Sequence, residues 1–211
     1  MGTRKQIHMT NPTKQFKENG YVVCKNIIDN KQLLDFLGVY AYNLARIKGC
    51  ESNDKDVPNT PSFYGDFAME NLSFFLKPKL EQITGLSLFQ TYTFLRVYKG
   101  GDSMFKHVDR PACEISVSMT LRKNKDEQIW PIYINNKDYK DKNGDNSGKE
   151  SPALLDTGDA LVYRGCECEH WRNEYTEGTK LAQLFMHYVD AKGEKKHLKN
   201  DGRESIFSLY L

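Results

Sequence analysis

The chain has 211 residues, with 39% hydrophobic and 12% aromatic content, the size and composition of one soluble globular domain. Its 30 basic and 28 acidic residues give a net charge of +2, which offers no electrostatic argument for nucleic acid or for a membrane surface. No apolar run approaches the roughly 20 residues needed to span a bilayer. Five scattered cysteines and the lack of a secretory signal lead us to expect a cytoplasmic protein.

The N-terminal part begins with a predicted strand followed by a helix. Tyr21–Ile28 is rich in β-branched and aromatic residues, which favours a strand. Asp29 or Asn30 then supplies an N-cap, and apolar residues recur at helical spacing after it.

A second helix is predicted over 67–83, interrupted near Pro78 and capped by Gly85. The polar loop before it, 48–62, is a candidate lid over a site. A long polar insert, 135–152, is either a second lid or a surface loop.

From Leu86 onward the apolar pattern changes to that of short strands separated by turns. The predicted strands are LFQTYTFLRVY, MFKHVD, CEISVSMTL, QIWPIYI, DALVYR, KLAQLFMHYV and SIFSLYL. Two helices before about seven strands predict a mainly β fold with flanking helices. We expect one domain over 1–211, in which 1–85 is a strand with a helical buttress and 86–211 is a jelly-roll core (a double-stranded β-helix), with the N-terminal helices packed on one sheet.

The strand CEISVSMTL alternates cleanly between apolar and polar residues. One face carries Ile115, Val117, Met119 and Leu121, and the other carries Ser116, Ser118 and Thr120. We therefore expect one core face and one solvated or ligand-lined face.

The tripeptide HVD is the first candidate for chemistry. Alternate residues of a strand share a face, so His107 and Asp109 can converge on one cation. Alone the signal is weak, because any pair of polar residues on a strand has the same pattern.

A histidine further along the chain strengthens the case for a metal site at HVD. His170 follows the strand GDALVYRG and could be brought opposite HVD by sheet pairing. Two histidines and one carboxylate suit non-haem Fe(II). Lys180, ten residues later, could extend into the same cavity and pair with a carboxylate.

The other metal-ligand residue types favour structural roles. His8 and His197 lie in polar segments and His187 alternates opposite to Lys180, so none is expected to be a ligand. Trp171 is expected to be a packing residue. Cys113, Cys166 and Cys168 lack the spacing of a zinc site and are expected to be ordinary thiols.

Together, HVD, His170 and Lys180 resemble the HxD…H…K pattern of the Fe(II)/2-oxoglutarate-dependent oxygenases, and in particular of their prolyl 4-hydroxylase-like branch. In that branch a tyrosine nine residues before the first histidine contacts 2-oxoglutarate, and Tyr98 occupies that position here. The resemblance covers Leu86 to Asp190 and, more loosely, the N-terminal helices.

The resemblance implies Fe(II) bound by His107, Asp109 and His170, with 2-oxoglutarate held by Lys180 and Tyr98 and O2 as oxidant. It implies hydroxylation of a C–H bond in a peptide or protein side chain, with release of succinate and CO2. The same chemistry on a small metabolite is the alternative, and a jelly-roll binding protein without turnover is a third possibility.

One departure from the family bears on the partner. The nucleic-acid-demethylating branch places arginines after the distal histidine in an RNxxxxR-like arrangement, whereas here Arg172 and Asn173 are followed by Lys180. Nucleic acid is therefore not expected as a substrate. Arg172 remains a rival to Lys180 for the co-substrate.

Charged residues around the motif are candidates for contacts with an anionic substrate. They are Arg110, Glu114, Arg122 and Arg164. The alternative is that the arginines form salt bridges with Glu114, Glu167 and Glu169.

Overall fold

The computed structural model describes residues 11–49, 56–136 and 151–206, and it contains two antiparallel sheets with helices on one side. The helices are α1 (Pro12–Asn19), α2 (Lys31–Lys48) and α3 (Phe67–Thr84). The strands are β1 (Tyr21–Cys24), β2 (Ser62–Tyr64), β3 (Leu88–Lys99), β4 (Met104–His107), β5 (Ile115–Lys123), β6 (Ile132–Ile134), β7 (Ser151–Ala153), β8 (Ala160–Tyr163), β9 (His170–Arg172) and β10 (Lys180–Asp190). Two short 3-10 segments span Pro111–Cys113 and Glu194–Gly202.

The strand order is that of the predicted jelly roll. The larger sheet runs β1-β8-β5-β10-β3-β2 and the smaller one β4-β9-β6-β7. All pairings are antiparallel among the described residues. Strands that are far apart in sequence are neighbours in these sheets, for example β4 and β9. Residues from distant parts of the sequence therefore meet between the two sheets.

Alternation along the strands divides the interior into two layers. Ile115, Val117 and Met119 point toward α2 and α3 and are fully buried among helix residues such as Leu37 and Leu76. Residues on the other face of the larger sheet point toward the smaller sheet. There they form a second buried cluster with residues of the smaller sheet, which includes Tyr98, Met104, Trp130, Ile132, Leu161, Tyr163, Leu181 and Phe185. The layer between the sheets is where the candidate site lies.

The polar face of β5 is not solvated. Ser116, Ser118 and Thr120 are all buried, so of the two predicted alternatives, a solvated or a ligand-lined face, the solvated one is excluded. Gln183 of β10 satisfies two of them: its amide donates to Ser118 Oγ at 2.9 Å, and its carbonyl oxygen accepts from Thr120 Oγ1 at 3.1 Å. Small hydroxyl side chains thus keep this face polar while the second sheet covers it.

The predicted helices are confirmed, with one correction. Asn30 caps α2 by accepting from the Leu33 backbone N–H, and Gly85 ends α3 in a left-handed conformation. The prediction of an interruption near Pro78 is wrong, because α3 continues through it. Proline removes one hydrogen bond to the carbonyl four residues earlier, here Phe74, whose side chain is on the exposed side of the helix.

Several short elements were not predicted. These are α1, β2, β7 and β9, each of eight residues or fewer. Of the predicted last strand, SIFSLYL, Ser205 and Ile206 are not in a strand and the rest lies outside the described residues. Residues 50–55 of the candidate lid 48–62, residues 137–150 of the candidate lid 135–152, and also His8 lie outside them too. Among the described residues no helix is long and apolar enough to cross a bilayer.

Candidate active site

Sheet pairing brings the two predicted histidines together. β4 and β9 are neighbours in the smaller sheet, and His107 pairs directly with His170. Their ring centroids lie 4.4 Å apart. Asp109, two residues beyond β4, completes the group, and one ligand atom from each of the three residues lies within 4.8 Å of the others.

Hydrogen bonds fix the orientation of both imidazoles. His107 Nδ1 lies 2.8 Å from the Phe105 carbonyl oxygen, and His170 Nδ1 lies 3.0 Å from that of Cys168. A carbonyl can only accept, so each Nδ1 carries the hydrogen and each Nε2 carries a lone pair. The two Nε2 atoms lie 3.7 and 3.6 Å from Asp109 Oδ1. Burial lowers the pKa of His170, which favours the neutral form that binds metals.

The carboxylate of Asp109 is positioned from its other side. Ser116 Oγ donates to Asp109 Oδ2 at 2.7 Å, and the Asp109 backbone N–H donates to the Gly165 carbonyl oxygen at 2.8 Å. Oδ1 therefore faces the two histidines while Oδ2 is anchored to β5. Groups that orient metal ligands in this way are typical of metal sites.

A cavity of about 340 Å³ opens over these three residues. Its walls are mostly aromatic, with arginine and histidine side chains among them. Besides the three site residues, it is lined by Asp56, Tyr92, Phe94, Arg96, Met104, Tyr163, Phe185 and His187. Its volume is at the lower end of the range for small-molecule sites.

Solved structures with the same fold share this combination of sheets. A non-haem alpha-ketoglutarate-dependent carbocyclase from nogalamycin biosynthesis, SnoK, superposes with a TM-score of 0.68 at 12% identity, covering 90% of this chain and 87% of that one. EctD from S. alaskensis, solved with bound Fe, gives 0.66 at 15% identity, covering 90% and 80%. A Pseudomonas putida prolyl-4-hydroxylase gives 0.63 at 12% identity, covering 84% and 96%.

The chain has the fold of the 2-oxoglutarate-dependent non-haem oxygenases. At these identities the likeness concerns the fold alone. No family model matches the sequence, and the search of curated proteins found no match. The case for a function therefore depends on what the site residues of this oxygenase fold can do.

The Lys180 side chain does not line the cavity in this structure. Lys180 is exposed, and its Nζ lies 5.3 Å from the centre of the Tyr42 ring on α2. The next residue, Leu181, occupies the position between the sheets. Because strand residues alternate, an offset of one residue turns the lysine to the helix side.

Arg172 lies instead on the site side of its strand. It is two residues after His170 on β9 and, like His170, faces the interior, where it is 2% exposed. Its Nη1 donates to the Trp130 carbonyl oxygen at 2.7 Å, whereas Nε and Nη2 have no hydrogen-bond partner among the described residues. Burial lowers its pKa to about 10. A buried guanidinium with two unused donors can bind one acceptor group through both of them.

Tyr98 is completely buried close to Arg172. Its oxygen accepts from Arg96 Nη1 at 3.0 Å, and its own hydrogen points only to the Met104 sulfur at 3.9 Å. The guanidinium carbon of Arg172 lies 5.8 Å from the centre of its ring. The phenol hydrogen is thus available to a stronger acceptor.

The four charged candidates for substrate contacts are not among the residues that line the cavity. Arg110 makes a two-point salt bridge to Asp201 at 2.7 Å, and Arg164 contacts Glu167 at 3.3 Å. Arg122 lies 3.8 Å from Asp35, and Glu114 accepts from Lys195 at 3.2 Å. Each of the three arginines thus lies in a salt bridge, but only Arg164 pairs with a predicted partner, Glu167.

Sequence reasoning missed Ser116 and undervalued His187. Ser116 Oγ lies 2.9 Å from His187 Nδ1 and also contacts Asp109. The polar face of β5 was the signal for Ser116. Trp171 is confirmed as a packing residue, since it stacks on Tyr133 at 5.5 Å.

Gly165 is required where the chain passes the Asp109 carboxylate. A Cβ there would overlap the Cys113 carbonyl oxygen and Asp109 Oδ2, and would lie 2.7 Å from Ser116 Oγ. We expect Gly165→Ala to displace the carboxylate and lower Fe(II) affinity by at least about tenfold, as when other groups that orient ligands are disturbed. Gly193→Ala, whose Cβ would meet Asp190 Cβ at 3.1 Å, is the control. Anaerobic iron titration against a competing chelator measures both, and wild-type affinity in Gly165→Ala would contradict the argument.

Proposed function

We propose that the protein is an Fe(II)- and 2-oxoglutarate-dependent dioxygenase that hydroxylates a C–H bond. The observation that carries the proposal is the convergence of two Nε2 lone pairs and one carboxylate oxygen, from His107, His170 and Asp109, at the base of a cavity. This donor set, with the remaining positions open to the cavity, suits non-haem Fe(II).

The three residues fit the metal in chemistry as well as in position. Both histidines are held in the tautomer that offers Nε2, and Ser116 holds the carboxylate without blocking Oδ1. Bound iron, with 2-oxoglutarate and O2, supplies oxidation of a C–H bond with release of succinate and CO2. The protein's contribution is to bind and orient the reactants and to exclude water.

Arg172, rather than Lys180, is proposed to bind the distal carboxylate of 2-oxoglutarate. On a strand, Arg172 lies roughly 7 Å along from His170 on the same face. That separation matches the length of a five-carbon dicarboxylate with one end at the histidines and the other at the free Nε and Nη2. Arg96, and not Arg172, lines the cavity in this structure, so binding requires the cavity to extend toward Arg172. An arginine and a carboxylate can make two parallel hydrogen bonds, which suits those two donors. Tyr98 is proposed to donate a further bond from its hydroxyl.

The proposed substrate is a side chain of a peptide or protein. Phe105 and Val108, on either side of His107, are 57% and 48% exposed and form an apolar rim beside the cavity. A peptide could lie on this rim while one side chain enters. The small cavity volume favours the alternative, a small metabolite. Both kinds occur among similar folds: a Trichoplax adhaerens prolyl hydroxylase was solved with a peptide fragment, and EctD with 5-hydroxyectoine.

The test is an anaerobic titration of Fe(II) and 2-oxoglutarate into metal-free protein. We expect the weak visible charge-transfer band of a bidentate 2-oxoglutarate chelate of iron, together with its loss in His170→Ala. His197→Ala, which changes an exposed histidine, is the matched control and should keep the band. A metal-replete sample without the band would favour a binding protein that performs no turnover.

If the band appears, a substrate screen follows. Peptide libraries and metabolite mixtures are incubated with the protein, iron, 2-oxoglutarate and O2, and products are detected by mass spectrometry as the gain of one oxygen atom. Products from peptides alone would support the first substrate class, and products from metabolites alone the second.

A further inference from the structure

A second group of metal-ligand atoms lies beside the first. Asp109, Cys113 and His187 each offer one ligand atom within 4.8 Å of the others. Cys113 belongs to the 3-10 segment after Asp109, and His187 comes from β10. Cys113 and His187 are 2% and 5% exposed. Neither has a part in the proposed oxygenase chemistry.

The hydrogen bonds around His187 leave it ready to bind a metal. Ser116 Oγ lies 2.7 Å from Asp109 Oδ2 and 3.2 Å from the Cys113 carbonyl oxygen, and its single hydrogen goes to the nearer acceptor, the carboxylate. Ser116 Oγ must therefore accept from His187 Nδ1, which lies 2.9 Å from it. The lone pair of His187 is then on Nε2. A histidine that donates its other N–H to an oxygen is the usual arrangement at a metal.

Cys113 is held in place by a hydroxyl group. Tyr92 Oη lies 3.0 Å from its sulfur, and the Tyr92 ring packs 4.5 Å from that of His187. Metal binding deprotonates a coordinating thiol, and the Tyr92 hydroxyl can then donate to the thiolate.

We propose that Asp109, Cys113 and His187 form a second metal site, selective for Zn(II) and similar ions, that overlaps the first by sharing Asp109. One sulfur, one nitrogen and one oxygen donor suit zinc, with a fourth position open. Zinc bonds of about 2.0–2.3 Å need donor atoms within about 4 Å of one another, so shifts of less than about 1 Å close the site.

Sharing Asp109 has a consequence for iron. Two dications on one carboxylate repel each other, so zinc at the second site lowers the affinity of the first for iron. This consequence rests on the proposed function, whereas the second site itself does not.

Cobalt is the probe, because Co(II) bound to a thiolate gives an intense near-ultraviolet charge-transfer band. Co(II) is titrated anaerobically into the full chain carrying His170→Ala, which disables the first site. We expect the band in this background, its loss when Cys113→Ser is added and its retention when Cys166→Ser is added instead. Cys166 is the matched control, a half-buried free cysteine.

Loss of folding is separated from loss of a ligand by a second variant. His187→Gln in the same background should also remove or strongly shift the band, and the thermal midpoint reports on folding. A band that survives Cys113→Ser, or none in His170→Ala, would overturn the proposal. A cobalt–thiolate band without an iron–2-oxoglutarate band in the wild-type protein would instead sink the proposed function and leave the second site standing.

Discussion

Replacing Arg172 with methionine is expected to weaken 2-oxoglutarate binding by about a hundredfold or more. Truncating one partner of a buried, hydrogen-bonded charge pair costs about 2–5 kcal/mol. A hundredfold loss of affinity corresponds to about 2.8 kcal/mol, which lies within that range. Arg172 is buried, and no carboxylate pairs with it among the described residues, so a bound carboxylate is its natural partner. Calorimetric or spectroscopic titration of 2-oxoglutarate into the iron-loaded protein measures the change.

Lys180→Met is the matched control. It removes the same charge from the residue that sequence spacing favoured, but Lys180 is exposed and faces α2. We expect its affinity for 2-oxoglutarate to match the wild type. If Lys180→Met lost binding and Arg172→Met kept it, the structural assignment would be wrong and the sequence assignment right.

Stability provides an independent check on Arg172. An unpaired buried charge is costly, and replacing buried ionic groups with apolar residues of similar size is often neutral or stabilising. Without 2-oxoglutarate, Arg172→Met should therefore unfold at a urea concentration no lower than the wild type. With saturating 2-oxoglutarate, only the wild type should gain stability.

Much of the fold could be predicted because its strands keep strict alternation. The core face of β5 is the one predicted from Ile115 to Leu121, and Asn30 and Gly85 bound their helices as expected. The shorter elements could not be predicted. A three-residue strand such as β9 has no periodicity to detect and is defined by its neighbours, β4 and β6.

The convergence of His107, Asp109 and His170 could be predicted from two short motifs, but the strand face that Lys180 occupies could not. Choosing between Lys180 and Arg172 requires knowing which face of its strand each occupies, and one residue of register reverses the answer. The sequence does contain a clue, because Arg172 is two residues from His170 and shares its face if that segment is a strand. The spacing of the family pattern favoured Lys180, because it lies ten residues after His170. Spacing alone does not give the register of β10, and the register decides which face Lys180 occupies.

The two proposed metal sites would share one hydroxyl group on the polar face of β5. Ser116 contacts both Asp109 and His187, so one hydroxyl orients a ligand of each site. Ser118 and Thr120, the other polar residues of this face, bond to Gln183 instead.

Asp109→Ala is expected to abolish both metal signals, the iron–2-oxoglutarate band and the cobalt–thiolate band. The carboxylate is the only ligand common to the two described groups, and its side chain is 12% exposed. Two neutral imidazoles cannot balance the charge of Fe(II) in a cavity that Arg96 also lines. Losing the charged partner from such a site costs about 3–5 kcal/mol, a factor of roughly a hundred or more in affinity.

The single-site variants make the result specific. His107→Ala should remove the iron band and keep the cobalt–thiolate band, whereas Cys113→Ser should remove the cobalt–thiolate band. If both of these hold but Asp109→Ala keeps the cobalt–thiolate band, Cys113 and His187 bind the metal without the shared carboxylate. Zinc and iron would then not compete through Asp109, and any antagonism between them would need another cause.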